Sequence, residues 1–339
     1  MSDWSDDLLP GYASRTLALP GAERAAGEPE DTELCATLVH RRPEPGRAAG
    51  RRAVLYLHGW NDYFFQTHLA DFCAELGYDF FALDLRRYGR SLRPGQLPGF
   101  ITDLEEYDAE LDAAHALIAH GDPDEPAVGA HDEVLLMGHS TGGLIASLWA
   151  ARRPGAVVGL VLNSPWLDLQ GSAMVRAVGT PVIDAVGGRN PTAVIRLPDA
   201  GLYARTLHIN RGGEWEYDTS LKAHPGPPIR VGWLRAVRHG HQKVAAGLGI
   251  TVPVLVLAST RTKFTRQWDE ELRGVDSVLD VEQIVSRAGR LGPHVTIVRF
   301  ERGIHDLVLS RPEVRRRVFS EIARWCAAYL PVRTAPGAG

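Results

Sequence analysis

Gly138-His139-Ser140-Thr141-Gly142, with Gly143 following, matches the pattern G-x-S-x-G. A serine in that pattern acts as a nucleophile when the backbone turns sharply from a strand into a helix. Its hydroxyl then stands clear at the strand's end. A Cβ at position 138 or 142 would crowd such a turn, which is a physical reason for glycine at both. The helix N-terminus beneath the serine favours developing negative charge. A serine hydroxyl still needs a base to take its proton, and the chain holds 13 histidines. His139 adjoins the serine but points the other way in a turn of this kind. His239 and His241 form an H-x-H pair with metal-ligand spacing. No third ligand at a suitable spacing accompanies them, so they read as part of a surface helix and no metal is expected. Cys35, Cys73 and Cys326 fit neither a disulfide framework nor a zinc site, and read as buried free thiols in a reducing compartment.

The elements around the motif supply the context it needs. Val134–Met137 reads as a buried strand and Leu144–Ala151 as the helix after it. Ala53–Leu57 is an earlier, almost continuously apolar run ending at His58-Gly59, as expected of a strand covered on both faces. Tyr78–Leu83, Val157–Leu162, Val252–Leu257 and Val295–Phe300 read as further strands. Leu69–Leu76, Leu104–Ile118 (with Asp103 as its cap) and Val314–Tyr329 read as helices. Strands alternating with helices predict parallel βαβ units in an α/β, doubly wound sheet. The alternation breaks between about Pro165 and Gly249, a stretch rich in Gly and Pro that contains Trp166, Trp215 and Trp233. It reads as a cap inserted over the carboxyl edge of the sheet. The expected division is residues 1–30 as a partly ordered N-terminal extension, 31–164 and 250–330 as the core, 165–249 as the cap and 331–339 as a tail. The Arg/Pro/Gly segment 41–52 reads as a surface hairpin or loop.

Composition narrows the class. The net charge is −4, with 45% hydrophobic and 23% charged residues, and these values exclude a wholly disordered chain, a collagen and a coiled coil. The mildly acidic balance argues against a nucleic-acid partner. The start, Met-Ser-Asp-Trp-Ser-Asp-Asp, has neither a basic nor an apolar region of a secretory signal. No apolar run reaches about 18 residues, so no membrane helix is expected and a cytoplasmic location is the default.

The Ser140 turn, His58-Gly59 at the end of an earlier strand, and Asp84-Leu-Arg-Arg-Tyr-Gly-Arg-Ser91, similar to D-x-R-G-x-G-x-S, together resemble the α/β-hydrolase superfamily. The resemblance is greatest to the branch of lysophospholipases, monoacylglycerol lipases and serine aminopeptidases, and covers roughly residues 32–330. It implies an α/β-hydrolase fold, with Asp84 structural. It also implies an oxyanion hole made by the backbone N–H of Thr141 and by one from the loop after the His-Gly strand, here Trp60. Many relatives read H-G-x-G in this loop. The present chain reads His58-Gly59-Trp60-Asn61, which leaves Asn61 as an alternative donor. His58 itself reads as a structural ring tying down the loop.

The chain order of such enzymes is serine, acid, histidine. His305, in Gly303-Ile304-His305-Asp306 after the last strand, takes the place of the base. The acid is expected after the strand Val252–Leu257. Asp276-Ser277-Val278-Leu279 matches the family's tendency of an aspartate, a variable residue and two apolar residues, although relatives reach it sooner after the strand. Asp280, which a helix cap would explain, Asp269 and Asp168 compete with it, and Asp306 reads as a group supporting the base.

These roles imply acyl transfer through an acyl-enzyme, with no metal, flavin or nucleotide, since no G-x-G-x-x-G or Walker pattern stands at a strand–helix junction. The tryptophan-rich cap points to a carboxylic ester with an apolar acyl group, small or lipid-like, with Trp166 and Trp233 lining its pocket. A serine aminopeptidase is the alternative and would need cap carboxylates for a substrate ammonium. Glu214, Glu216 and Asp218 lie together there. A non-catalytic scaffold is the reading from another class.

Overall fold

The computed structural model describes residues 3–43, 50–123, 125, 128–169, 183, 187–195 and 201–331. Its centre is a nine-stranded sheet in the order β1-β2-β3-β5-β4-β6-β7-β10-β11. The strands are β1 (Ser5–Asp6), β2 (Tyr12–Ala18), β3 (Cys35–Arg41), β4 (Arg52–Leu57), β5 (Asp79–Asp84), β6 (Glu133–His139), β7 (Gly159–Asn163), β10 (Val254–Ser259) and β11 (Val295–Phe300). The six strands from β5 through β4, β6, β7 and β10 to β11 pair in parallel. Those between β4 and β10 are almost wholly buried, which explains their near-continuous apolar runs. Helices α1 (Thr67–Glu75), α2 (Asp108–His120), α3 (Thr141–Arg152), α6 (Val281–Ala288) and α7 (Pro312–Tyr329) alternate with them. Two apolar clusters result, one containing Trp149 and Leu162 and the other Phe80 and Trp325.

The periodic segment from Leu104 is two elements. A short 3₁₀ turn, Leu104–Tyr107, opens on a capping box between Asp103 and Glu106, and α2 follows. The N-terminal segment departs further from its sequence reading. Expected to be partly ordered, it contributes β1 and β2, which extend the sheet antiparallel beyond β3. Buried ion pairs hold it. Arg87 meets Glu28 at 2.7 Å, and Arg90 meets both Asp7 at 2.7 Å and Asp84 at 2.9 Å. Losing one member of a buried pair costs about 3–5 kcal/mol, so these contacts make the segment part of the fold.

Between β7 and β10 the described residues include a two-stranded hairpin, β8 (Val194–Ile195) with β9 (Ile229–Arg230), and helices α4 (Leu202–Leu207) and α5 (Val231–Ala246). Residues 44–49 of the Arg/Pro/Gly segment, most of 170–200 and the tail from 332 lie outside the described residues. Among the described residues no helix is long and apolar enough to cross a membrane, and no cluster of His, Cys, Asp or Glu has metal-site geometry.

Candidate active site

Ser140 sits where β6 passes into α3, with φ +54° and ψ −118°. A non-glycine residue in that region costs on the order of 1–3 kcal/mol and persists only where its surroundings over-determine it. Here the Ser140 N–H donates to the Asn163 carbonyl at 3.0 Å, and the Ser140 carbonyl accepts from Gly143 at 3.0 Å and Trp166 at 3.0 Å. The glycines have steric cause. A Cβ on Gly138 would lie 2.6 Å from the Gly142 carbonyl oxygen, and one on Gly142 would lie 2.3 Å from that of His58.

His305 follows β11 and is buried. Its Nδ1 lies 2.9 Å from Asp276 Oδ2, across 29 residues of sequence. The other oxygen, Oδ1, accepts the N–H groups of Val278 and Leu279, both at 2.8 Å. The local pattern of an aspartate, one variable residue and two apolar residues is thus a turn that aims one carboxylate oxygen inward. With Nδ1 engaged, Nε2 is the ring nitrogen left for a reacting group, and Ser140 and His305 line the same cavity. Of the other acids, Asp280 caps α6 through the Glu282 N–H, and Asp269 likewise caps the turn Glu270–Gly274. Asp168 is bonded to Arg287 at 2.8 Å.

Asp306 follows His305 in the chain and is fully buried. Its carboxylate accepts from the Asn163 side chain at 2.7 Å and from Gln66 at 3.2 Å. Burial alone would push its carboxyl up. The nearby His139 and Lys222, with the Asn163 and Gln66 hydrogen bonds, outweigh that and hold it below the usual range. Burial depresses His139 in the same cluster. Asn163 drew no notice in the sequence, although a polar residue closing the apolar strand Gly159–Asn163 was the available signal.

The His58 ring spans its loop. Nδ1 lies 2.7 Å from the Gly59 carbonyl, and Nε2 accepts the Leu85 N–H at 3.1 Å. Gly59 runs so close to the nucleophile that an added Cβ would sit 3.1 Å from Ser140 Cβ. Among the described residues, the backbone N–H groups of Trp60 and Thr141 have no acceptor within the chain.

The cavity at Ser140 holds about 590 Å³. Its walls include Trp60, Ile195, Leu207, Tyr217, Ile229 and Val278. Trp166 and Trp233, expected in this pocket, lie behind it. Trp233 is buried and its ring packs at a tilt against Trp60 at 4.0 Å and Trp166 at 5.8 Å, so both indoles pack the core on the far side of Trp60. Trp215 instead bonds the Leu309 carbonyl at 2.7 Å and stacks on His68. The expectation of surface histidines fails for His241. It is buried on α5 and bonded to the Trp166 carbonyl at 2.9 Å, and burial drives its pKa down to about 3. Glu214, Glu216 and Asp218 are exposed and do not line the cavity. A larger cavity of about 710 Å³ runs along residues 19–26 and does not include Ser140.

The family model for "Serine aminopeptidase, S33" matches residues 48–311. A monoacylglycerol lipase of Mycolicibacterium smegmatis is 24% identical, over 83% of this chain and 89% of its own. The phospholipase YtpA of Bacillus subtilis is 31% identical, over 82% of this chain and 95% of its own. Among solved structures, the Saccharomyces cerevisiae monoglyceride lipase superposes with a TM-score of 0.62 at 15% identity, covering 92% of this chain and 97% of that one. The Paleococcus ferrophilus monoacylglycerol lipase gives 0.61 at 18%, covering 88% and 100%. The structural likenesses establish an α/β-hydrolase fold.

Proposed function

The chain belongs to the serine aminopeptidase S33 family of α/β-hydrolases, in the monoacylglycerol lipase and lysophospholipase branch, and is an ester-hydrolysing enzyme; from that premise we propose that Ser140, His305 and Asp276 form its catalytic triad and cleave a lipid-like carboxylic ester. The observation that carries the reading is the 2.9 Å contact between His305 and Asp276, in a cavity shared with the strained Ser140. His305 Nε2 takes the proton of Ser140 Oγ as that oxygen attacks the ester carbonyl. The Trp60 and Thr141 N–H groups receive the oxyanion, and the alcohol leaves with the proton. Water, deprotonated by the same nitrogen, then releases the acid from the acyl-enzyme. Asp276 holds the imidazole's orientation and stabilises its cation.

In this reading the described residues between 165 and 249 belong to a cap whose hairpin and α4 roof the acyl-binding cavity. Apolar walls suit an acyl chain. An aminopeptidase would need a free carboxylate for the substrate ammonium. Among the described residues the cavity offers one carboxylate, Asp62, and Lys222 occupies it at 2.7 Å. The test is turnover of p-nitrophenyl esters of increasing chain length beside an aminoacyl p-nitroanilide. Ester turnover that falls by about 10⁴-fold or more in Ser140→Ala is expected, with fluorophosphonate labelling lost in the same variant. Anilide turnover exceeding that of every ester, or a covalent adduct on another serine, would overturn it.

A further inference from the structure

The loop 59–62 is held from two sides, and one of them belongs to the inserted region. On the core side, the Trp60 ring packs edge-on to Tyr88 at 5.8 Å and against Trp233 at 4.0 Å. On the other side the Asn61 side chain pairs with the backbone of Ala223. Its Nδ2 donates to the Ala223 carbonyl at 2.8 Å, and its Oδ1 accepts the Ala223 N–H at 3.2 Å. Next to this pair, Asp62 takes Lys222 at 2.7 Å, with both side chains largely withdrawn from solvent. Gly226 comes so near that a Cβ there would lie 3.2 Å from Asn61 Nδ2.

Asn61 has φ +49°, a conformation glycine adopts more cheaply. Asparagine tolerates it and adds an amide that reads the backbone of one residue, Ala223, at two points. The position therefore retains a side chain at a conformational cost, and that side chain reaches across to the cap.

We infer that Asn61 is a positioning residue through which the cap segment 222–226 sets the direction of the Trp60 N–H in the oxyanion hole. The inference rests on the proposed function. An oxyanion donor is effective only in place. Removing one outright costs about 10²–10³ in kcat, and a displacement near 1 Å can cost about 10²-fold. A loop released on one side should lose part of that.

Asn61→Gly isolates the clamp, because glycine keeps the backbone conformation and deletes only the amide. Wild type and N61G are compared by kcat and KM on p-nitrophenyl butyrate and by the Ki of an aryl trifluoromethyl ketone, which forms a tetrahedral oxyanion on the serine. The expected result is kcat lower by about 10–100-fold and Ki raised by a similar factor, with KM within about threefold and an unchanged melting temperature. A merely structural clamp on the cap would raise KM and leave kcat and Ki alone. That pattern, or kcat, KM and Ki all unchanged, overturns the inference while the function stands. A wild type that neither hydrolyses the ester nor binds the ketone overturns both.

Discussion

Asn163 bonds Asp306 at 2.7 Å through its side chain while its carbonyl receives the Ser140 N–H at 3.0 Å. One residue at the carboxyl end of β7 therefore joins the turn that carries Ser140 to the loop that carries His305. The Asn163 Oδ1 also accepts the Leu307 N–H at 3.2 Å, so the side chain grips that loop twice. Asn163→Ala should remove both bonds, at about 1–3 kcal/mol for each buried group left unpaired. If the link positions the two groups, kcat should fall about tenfold or more with KM nearly constant. A lowered melting temperature with unchanged kcat would make Asn163 a structural tie alone.

Asp306 also predicts a pH dependence. Its folded pKa lies below the ordinary value, so the unfolded chain binds the proton more tightly. Its contribution to stability is present above the unfolded value, about 3.9, and is lost as pH falls through the lower folded one. Urea denaturation of wild type and Asp306→Asn should show a constant gap from pH 7 to pH 5, closing only below about pH 4. A gap that closes between pH 7 and pH 5 would mean the carboxylate is not held ionised.

Three aspartates near the site should separate by readout. Asp276→Asn should lower kcat by about 10³–10⁴-fold with little effect on folding, because the imidazole loses its orienting anion. Asp280→Asn should leave kcat within about tenfold and stability nearly unchanged, because asparagine caps a helix about as well as aspartate. Asp168→Asn weakens the Arg287 bond and should act on the melting temperature instead. A crippled Asp168→Asn beside an active Asp276→Asn would reassign the acid.

Chain-length preference should follow the hairpin rather than the tryptophans. Ile195 and Ile229 are register partners in β8 and β9, and both line the cavity. Ile229→Trp should penalise longer acyl chains, by about 0.8 kcal/mol or fourfold in kcat/KM for each methylene excluded. Trp233→Ala should instead cost about 3–5 kcal/mol of stability and leave the profile's shape unchanged. A profile reshaped by Trp233→Ala alone would return that indole to the pocket.

The parallel strands and the turn around Ser140 were legible because their signals are local: apolar runs of strand length and glycines where a Cβ has no room. Asp276 was legible only through the resembling family's pattern of an aspartate, a variable residue and two apolar residues, and its approach to His305 exists only in three dimensions. The N-terminal strands were illegible for a related reason. Tyr12–Ala18 alternates weakly, and what orders it is pairing with β3 and the Glu28 and Asp7 ion pairs with distant arginines. The tryptophans misled because aromatic content does not say which side of a wall a ring occupies. His241 misled because a polar residue on an amphipathic helix reads as exposed unless its backbone partner, here Trp166, is known.

The N-terminal strands also decide what the molecule presents to its neighbours. A chain begun at β4 would leave β5 as the sheet's border, a fully buried apolar strand with the N–H and C=O groups that now pair with Thr37 to His40 bare to solvent. Such a border invites another strand, so the shortened chain should self-associate through it. Here the same side ends instead in Ser5–Asp6, two exposed polar residues over Ala13 and Ser14, and in the short, charged and partly exposed stretch Arg15–Ala18 of β2.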